Sequence, residues 1–189
     1  MRTAVAIVLA SLVLAPQARA QHHVRREGFW IGFGMGYGTA SASCDNCVSG
    51  PRTGGITAFV KLGGTPSRNL LIGGAVAGWA HASGGTNETM THITGSLYYY
   101  PVSWSGLFVT TGLGFATYHI TAGAVSGTGW GAVAGLGYDI PVSRHASLTP
   151  VANVLLGGVG SLTQPGVTGV YATGWKQTLL DVGLGITFH

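Results

Sequence analysis

The sequence predicts an all-β protein, a transmembrane up-and-down antiparallel β-barrel of about eight strands. The first observation behind this is alternation at both ends of the chain. Phe29, Ile31, Phe33, Met35 and Tyr37 are interleaved with Gly32, Gly34, Gly36 and Gly38. Thr178, Leu180, Val182, Leu184, Ile186 and Phe188 are interleaved with Leu179, Asp181, Gly183, Gly185 and Thr187. A strand sends successive side chains to opposite faces, so each stretch has one greasy face and one small or polar face. The second observation is composition. Charged residues make up 7% of the chain, against about 25% in ordinary soluble domains. Glycine supplies 33 of 189 residues, well above the usual level of about 7%. A barrel in lipid needs charge only on its connections and in its lumen, and a narrow lumen needs small side chains.

The third observation is the start of the chain. Met1-Arg2-Thr3 is basic, Ala4 to Ala15 is apolar, and Ala18-Arg19-Ala20 is a small-x-small site. This is the pattern of a secretory signal peptide over 1–20, too short for a spanning helix. The expected organisation is then a periplasmic tail over 21–27 and a barrel domain over 28–189. No apolar run is long enough for a transmembrane helix. The formal net charge of +4 falls to +2 once Arg2 and Arg19 leave with the signal. With no run of Lys or Arg, no nucleic-acid footprint is expected.

Turn signals then cut the mature chain into strand-length pieces. Gly28 to Ala40 is followed by a polar loop containing Cys44 and Cys47, then by Gly55 to Gly64. Thr65 to Asn69 forms a turn into Leu70 to Ala82, and a loop over Gly84 to Thr89 leads to Met90 to Tyr100. Pro101-Val102-Ser103 precedes Leu107 to Ile120, and Gly129 to Ile140 ends at a second Pro-Val-Ser, Pro141 to Ser143. Ala146 to Gly157 contains Pro150, which removes a ladder donor. A loop over Gly160 to Gly174 leads to the last strand, Trp175 to Phe188. Connections alternate long and short, as expected for four outer loops, short periplasmic turns and periplasmic chain ends. Aromatics gather at strand ends: Phe29, Trp30, Tyr98, Tyr99, Tyr100, Trp104, Phe108, Tyr138 and Phe188 at one, Tyr37, Trp79, Phe115, Tyr118, Trp130, Tyr171 and Trp175 at the other. Tyr and Trp favour membrane interfaces, so both sets are expected there as girdles.

On these strands, and on the closing residues Asp181, Gly183, Ile186 and Phe188, the mature chain resembles the small outer-membrane β-barrel proteins of the OmpA/OmpX type over nearly its whole length. The four closing positions resemble that family's C-terminal assembly signal, although His189 follows the aromatic at which the family usually stops. The resemblance implies a bacterial outer membrane of the Gram-negative type, with surrounding lipids and the barrel-assembly machinery as partners.

Several residues carry candidate chemistry. Cys44-Asp45-Asn46-Cys47 suits a small-loop disulfide in an oxidising compartment. A zinc site would need two further ligands at a spacing that is not there. Lys61, Asp139 and Asp181 fall on the small-residue, lumen-facing side of their strands. There they must pair or line water, as a plugging charge network or as a gate for small ions. His81, Ser83 and Glu88 faintly resemble the His-x-Ser plus Glu arrangement of outer-membrane lipid A deacylases. In that site Ser83 would attack an ester and His81 would take its proton. His145-Ala146-Ser147 repeats the pattern on an expected periplasmic turn, which shows how readily three residues coincide. His22, His23, Arg25 and Arg26 read as a basic tail.

The expected protein is a non-enzymatic barrel with a structural or surface-interaction role. It is expected to be monomeric, to need no cofactor or metal, and to meet an extracellular ligand the sequence does not identify. A narrow channel for ions or small solutes is the first alternative and a lipid A-modifying hydrolase the second. A soluble lipocalin-like binder would be the alternative if the greasy faces packed on each other. A closed barrel resists opening by SDS alone. Detergent-refolded protein lacking 1–20 is therefore expected to run at different mobilities boiled and unboiled; identical mobility in a protein soluble without detergent would remove the membrane reading.

Overall fold

The computed structural model describes residues 26–45, 47, 50–166 and 169–189. The expected signal peptide and most of the tail lie outside them. The strands are β1 (Gly28–Ser43), β2 (Thr53–Ser67), β3 (Leu70–Ser83), β4 (Thr86–Tyr99), β5 (Leu107–Ile120), β6 (Val125–Tyr138), β7 (Ile140–Pro141), β8 (Ala146–Thr163) and β9 (Val170–Phe188). Each of the long strands pairs antiparallel with its sequence neighbour, β8 pairs with β6, and β1 pairs with β9. The result is a closed ring of eight strands, with the two-residue β7 as an extra strand. Closure leaves no edge with unpaired backbone groups, which is the condition for crossing lipid with strands.

Alternation decides both faces of the wall. In β1, Met35 is 70% exposed on the outside while Trp30 is 1% exposed inside. In β9, Val182, Leu184, Ile186 and Phe188 point out, and Asp181, Gly185 and Thr187 are buried inside. The outer wall also carries Ile56, Val60, Leu62, Ile72, Val76, Ile93, Leu113 and Phe115, all exposed. A contiguous apolar belt of this extent on water would be an aggregation surface; on lipid it is the required one.

The aromatics divide by the same parity, and six of the sixteen expected in the girdles turn inward instead. Phe29, Tyr99, Trp104, Tyr138 and Phe188 face out at one end, and Tyr37, Phe115, Trp130 and Tyr171 at the other. Trp30, Tyr98, Tyr100 and Phe108 turn inward and form a buried cluster with Leu71. Trp79 and Tyr118 are buried at the opposite end. Position near a strand end identified the level of each ring, but only its parity relative to Phe29 or Tyr99 gives the face.

The connections are also shorter than their turn signals suggest. Loop 84–89 reduces to Gly84 and Gly85, whose φ angles of 56° and 80° fit a tight two-residue hairpin with both residues left-handed. The 160–174 loop is mostly strand, because β8 runs to Thr163 and β9 begins at Val170. The turn before β3 shrinks to 68–69, whereas 100–106 and 139–145 are longer. Long and short connections therefore do not alternate between the two ends. Pro150 is accommodated by an interruption: pairing with β6 ends at Gly137↔Val151, and pairing with β7 resumes at Ile140↔Leu148. A bulge at Gly160, with φ 77°, shifts the register of β8 and lets Leu162 point inward after Val159 does.

Glycine sets how closely β1 and β9 meet. Gly34 faces Gly185 and Gly36 faces Gly183 across this seam, with the Phe59 ring lying over it from the lumen. A Cβ on Gly36 would stand 2.2 Å from the Val182 carbonyl oxygen and 2.6 Å from the Gly183 Cα, both backbone atoms. Gly36→Ala is expected to cost about 2 kcal/mol of unfolding free energy in detergent, the scale of an overpacked site. Gly78, with open space around its Cβ position, serves as the control: Gly78→Ala should be neutral or raise stability by about 0.5 kcal/mol.

Candidate functional site

The lumen is the candidate site, and it is filled in layers. The mouth bearing both chain termini is here called the inner mouth. There Asp139 sits just past β6, its N–H donating to the Gly106 carbonyl at 2.9 Å. Its carboxylate accepts from the Tyr100 hydroxyl at 2.6 Å and from the Thr149 hydroxyl at 2.8 Å. Thr149 has one hydroxyl proton and gives it to Asp139, so the 2.9 Å contact with Thr187 is donated by Thr187. His189 turns inward behind Phe188, with Nε2 3.8 Å from the same carboxylate and its backbone N–H on the His145 carbonyl at 3.0 Å.

Arg26 covers this mouth. Its guanidinium donates to the Ser103 and Ser105 carbonyls at 3.1 and 2.7 Å, and lies 3.7 Å from the Tyr100 ring centroid. A planar, weakly hydrated cation over an aromatic face is a stable arrangement away from water. Arg26, the one residue of the expected basic set His22, His23, Arg25 and Arg26 among the described residues, is thus anchored at the mouth. Arg26 was outside the charge set read from the strands because it precedes any alternation. Charge balance was the available signal, since two carboxylates and one lysine inside leave one cation wanting.

Above the mouth, Lys61 projects among aromatic faces, its Nζ 5.0 Å from the Phe108 centroid, 5.2 Å from Tyr98 and 5.9 Å from Trp30. Asp181, further along β9, accepts from the Thr57 hydroxyl and from the Asn153 amide, the latter at 3.1 Å. Lys61, Asp139 and Asp181 therefore share one lumen, but among the described residues no direct salt bridge joins them. Each charge is held by neutral or aromatic partners, and the buried charged residues Arg26, Lys61, Asp139 and Asp181 balance two against two. Beyond a polar layer of His92, Thr94, Ser96 and Gln177, the lumen closes again. A second apolar cluster there includes Trp79, Met90, Ala116, Leu155, Leu162 and Leu179.

The remaining sequence candidates lie at the outer end. His81 and Glu88 are register partners on β3 and β4. His81 stacks on Trp79 at 6.0 Å and donates Nδ1–H to the Gly54 carbonyl at 2.8 Å, while Glu88 accepts from the Tyr118 hydroxyl at 2.9 Å. Ser83 is exposed at the end of β3, and among the described residues no hydrogen bond links it to His81 or Glu88. Both partners of the supposed nucleophile are engaged elsewhere. Cys44 and Cys47 are bonded to each other, with Cα atoms 5.3 Å apart. The neighbouring Asp45 N–H donates to the Thr173 carbonyl at 2.9 Å, tying this connection to β9.

A closed ring with an apolar outer wall and a filled, charge-balanced lumen defines the class of small transmembrane β-barrels. No family model and no curated protein matches the chain. Among solved structures it is similar to Neisserial surface protein A, at 13% identity over 84% of this chain and 96% of that one, with a TM-score of 0.53. It is likewise similar to Ail, the attachment invasion locus protein of Yersinia pestis, at 13% identity over 86% of this chain and 99% of that one, TM-score 0.54. At this identity the likeness is one of fold. The chain has the architecture of the small eight-stranded outer-membrane barrels.

Removing one member of a buried charged set leaves the others uncompensated. Asp139→Ala is expected to lower unfolding free energy by about 3 kcal/mol in urea titrations of the refolded barrel. Combining it with Lys61→Met, which restores neutrality, should cost less than the sum of the two single changes; strict additivity would show the charges to be independent.

Proposed function

We propose that the chain is a non-enzymatic barrel of a bacterial outer membrane with a structural and surface-interaction role. Its chain ends would lie in the periplasm, and its outer mouth and the connections 44–52, 84–85, 121–124 and 164–169 would face outward. The observation that carries this reading is the filling of the lumen: an aromatic cluster near the inner mouth, an apolar cluster near the outer one, and four buried charges that balance in sign. A barrel filled in this way is a rigid post rather than a passage. The engagement of His81 and Glu88 with other partners weighs against ester hydrolysis. The closing Asp181, Gly183, Ile186 and Phe188 would present the strand to the assembly machinery. Surrounding lipid would be the one constant partner of the monomer.

Two measurements test this together. Purified barrel in planar bilayers should give no discrete conductance steps, and lipid A incubated with it should keep its mass spectrum. Steps abolished or enlarged by Lys61→Ala would establish the narrow channel instead, and loss of an acyl chain that depends on Ser83 would establish the hydrolase.

A further inference from the structure

Above the second apolar cluster the outer mouth opens into a cup of about 460 Å³, within the size range of small-molecule sites. Its walls come from strands far apart in sequence, among them β1, β4, β5 and β9. Trp79 and Met90 lie at its buried base, and Tyr118, Tyr171 and Trp175 are on its sides. The Tyr118 and Trp175 rings meet at 4.5 Å and 43°. Glu88 is the one formally charged residue among the described residues lining the cup. One of its oxygens takes the Tyr118 hydroxyl, and among the described residues no basic side chain pairs with it. The lining thus combines aromatic faces with one carboxylate that has no basic partner among the described residues.

We propose that this cup binds a small organic ammonium ion of the quaternary kind. Ring faces attract the cation through their quadrupoles and shed little hydration in doing so. Glu88 supplies the opposite charge, and the exposed Tyr171 and half-buried Trp175 supply ring faces. A neutral ligand of the same shape would satisfy the walls but leave the carboxylate unpaired. An anion would be repelled. The ligand can arrive as a free solute or as the headgroup of a lipid, and the chemistry of recognition is the same for both.

The test uses full-length mature barrel refolded in dodecyl maltoside, which has no ammonium headgroup, with tryptophan fluorescence as the readout. Choline is expected to give a saturable change. Its uncharged isostere 3,3-dimethylbutan-1-ol should bind at least about tenfold more weakly, as should choline to Glu88→Gln, which keeps an acceptor for Tyr118. Trp175→Leu should also weaken choline binding, which keeps the proposal testable if Glu88→Gln fails to refold. Equal affinity for choline and the isostere, or Glu88→Gln refolding with undiminished choline affinity, would overturn it. So would absence of saturation at about 100 mM choline, where even a millimolar site is filled. The two sources separate in nanodiscs. A choline titration unchanged between phosphatidylglycerol and phosphatidylcholine discs supports the site with a free solute. A site already occupied in the phosphatidylcholine discs supports it with a headgroup.

Discussion

A strand that crosses hydrocarbon can satisfy its N–H and C=O groups only on neighbouring strands, and every strand needs two of them. From this follows the pairing of β1 with β9, which joins the chain's ends and turns a sheet into a ring. Closure at eight strands then fixes the bore, and the bore fixes what can line it. Along β1 the inward positions Gly32, Gly34, Gly36 and Gly38 leave room for Phe59 and Lys61 from the adjacent strand β2. Where larger rings enter, at Trp30 and Phe108, neighbours such as Gly63 and Gly137 are small. Glycine content and aromatic content are thus two sides of one volume constraint.

The same constraint governs the charges. In a lumen this narrow there is little room for bulk water, so each charge must find partners in the wall. Asp139 and Asp181 use hydroxyls and an amide, Lys61 uses ring faces, and Arg26 uses carbonyls and a ring. Four charges held apart but balanced in number keep the interior neutral, without the geometric demands of a direct salt bridge.

The two mouths are built differently, and the difference has functional weight. The inner one is covered by the tail residue Arg26 and by the terminal His189, both anchored to backbone carbonyls. At the outer one the Asp45 N–H is tied to the Thr173 carbonyl of β9, and the mouth remains a cup. On the reading proposed above, ligand contact centres where Glu88, Tyr118 and Trp175 converge from three different strands.

By itself the sequence determined the fold class, the approximate strand set and the face on which Lys61, Asp139 and Asp181 lie. All three follow from a period of two residues, a local property that does not depend on distant partners. It also located the aromatic levels, but misassigned Trp30, Tyr98, Tyr100 and Phe108 to the lipid interface because position along a strand was read without parity. Turn length was not legible: the loops read over 84–89 and 160–174 both shrink, because the polar residues in them find adjacent strands to pair with. The place of Arg26, the engagement of His81 and Glu88, and the cup over Trp79 were decided by the tertiary structure alone. Each depends on which strands become neighbours when the ring closes, and the bulge at Gly160 changes where Leu162 points.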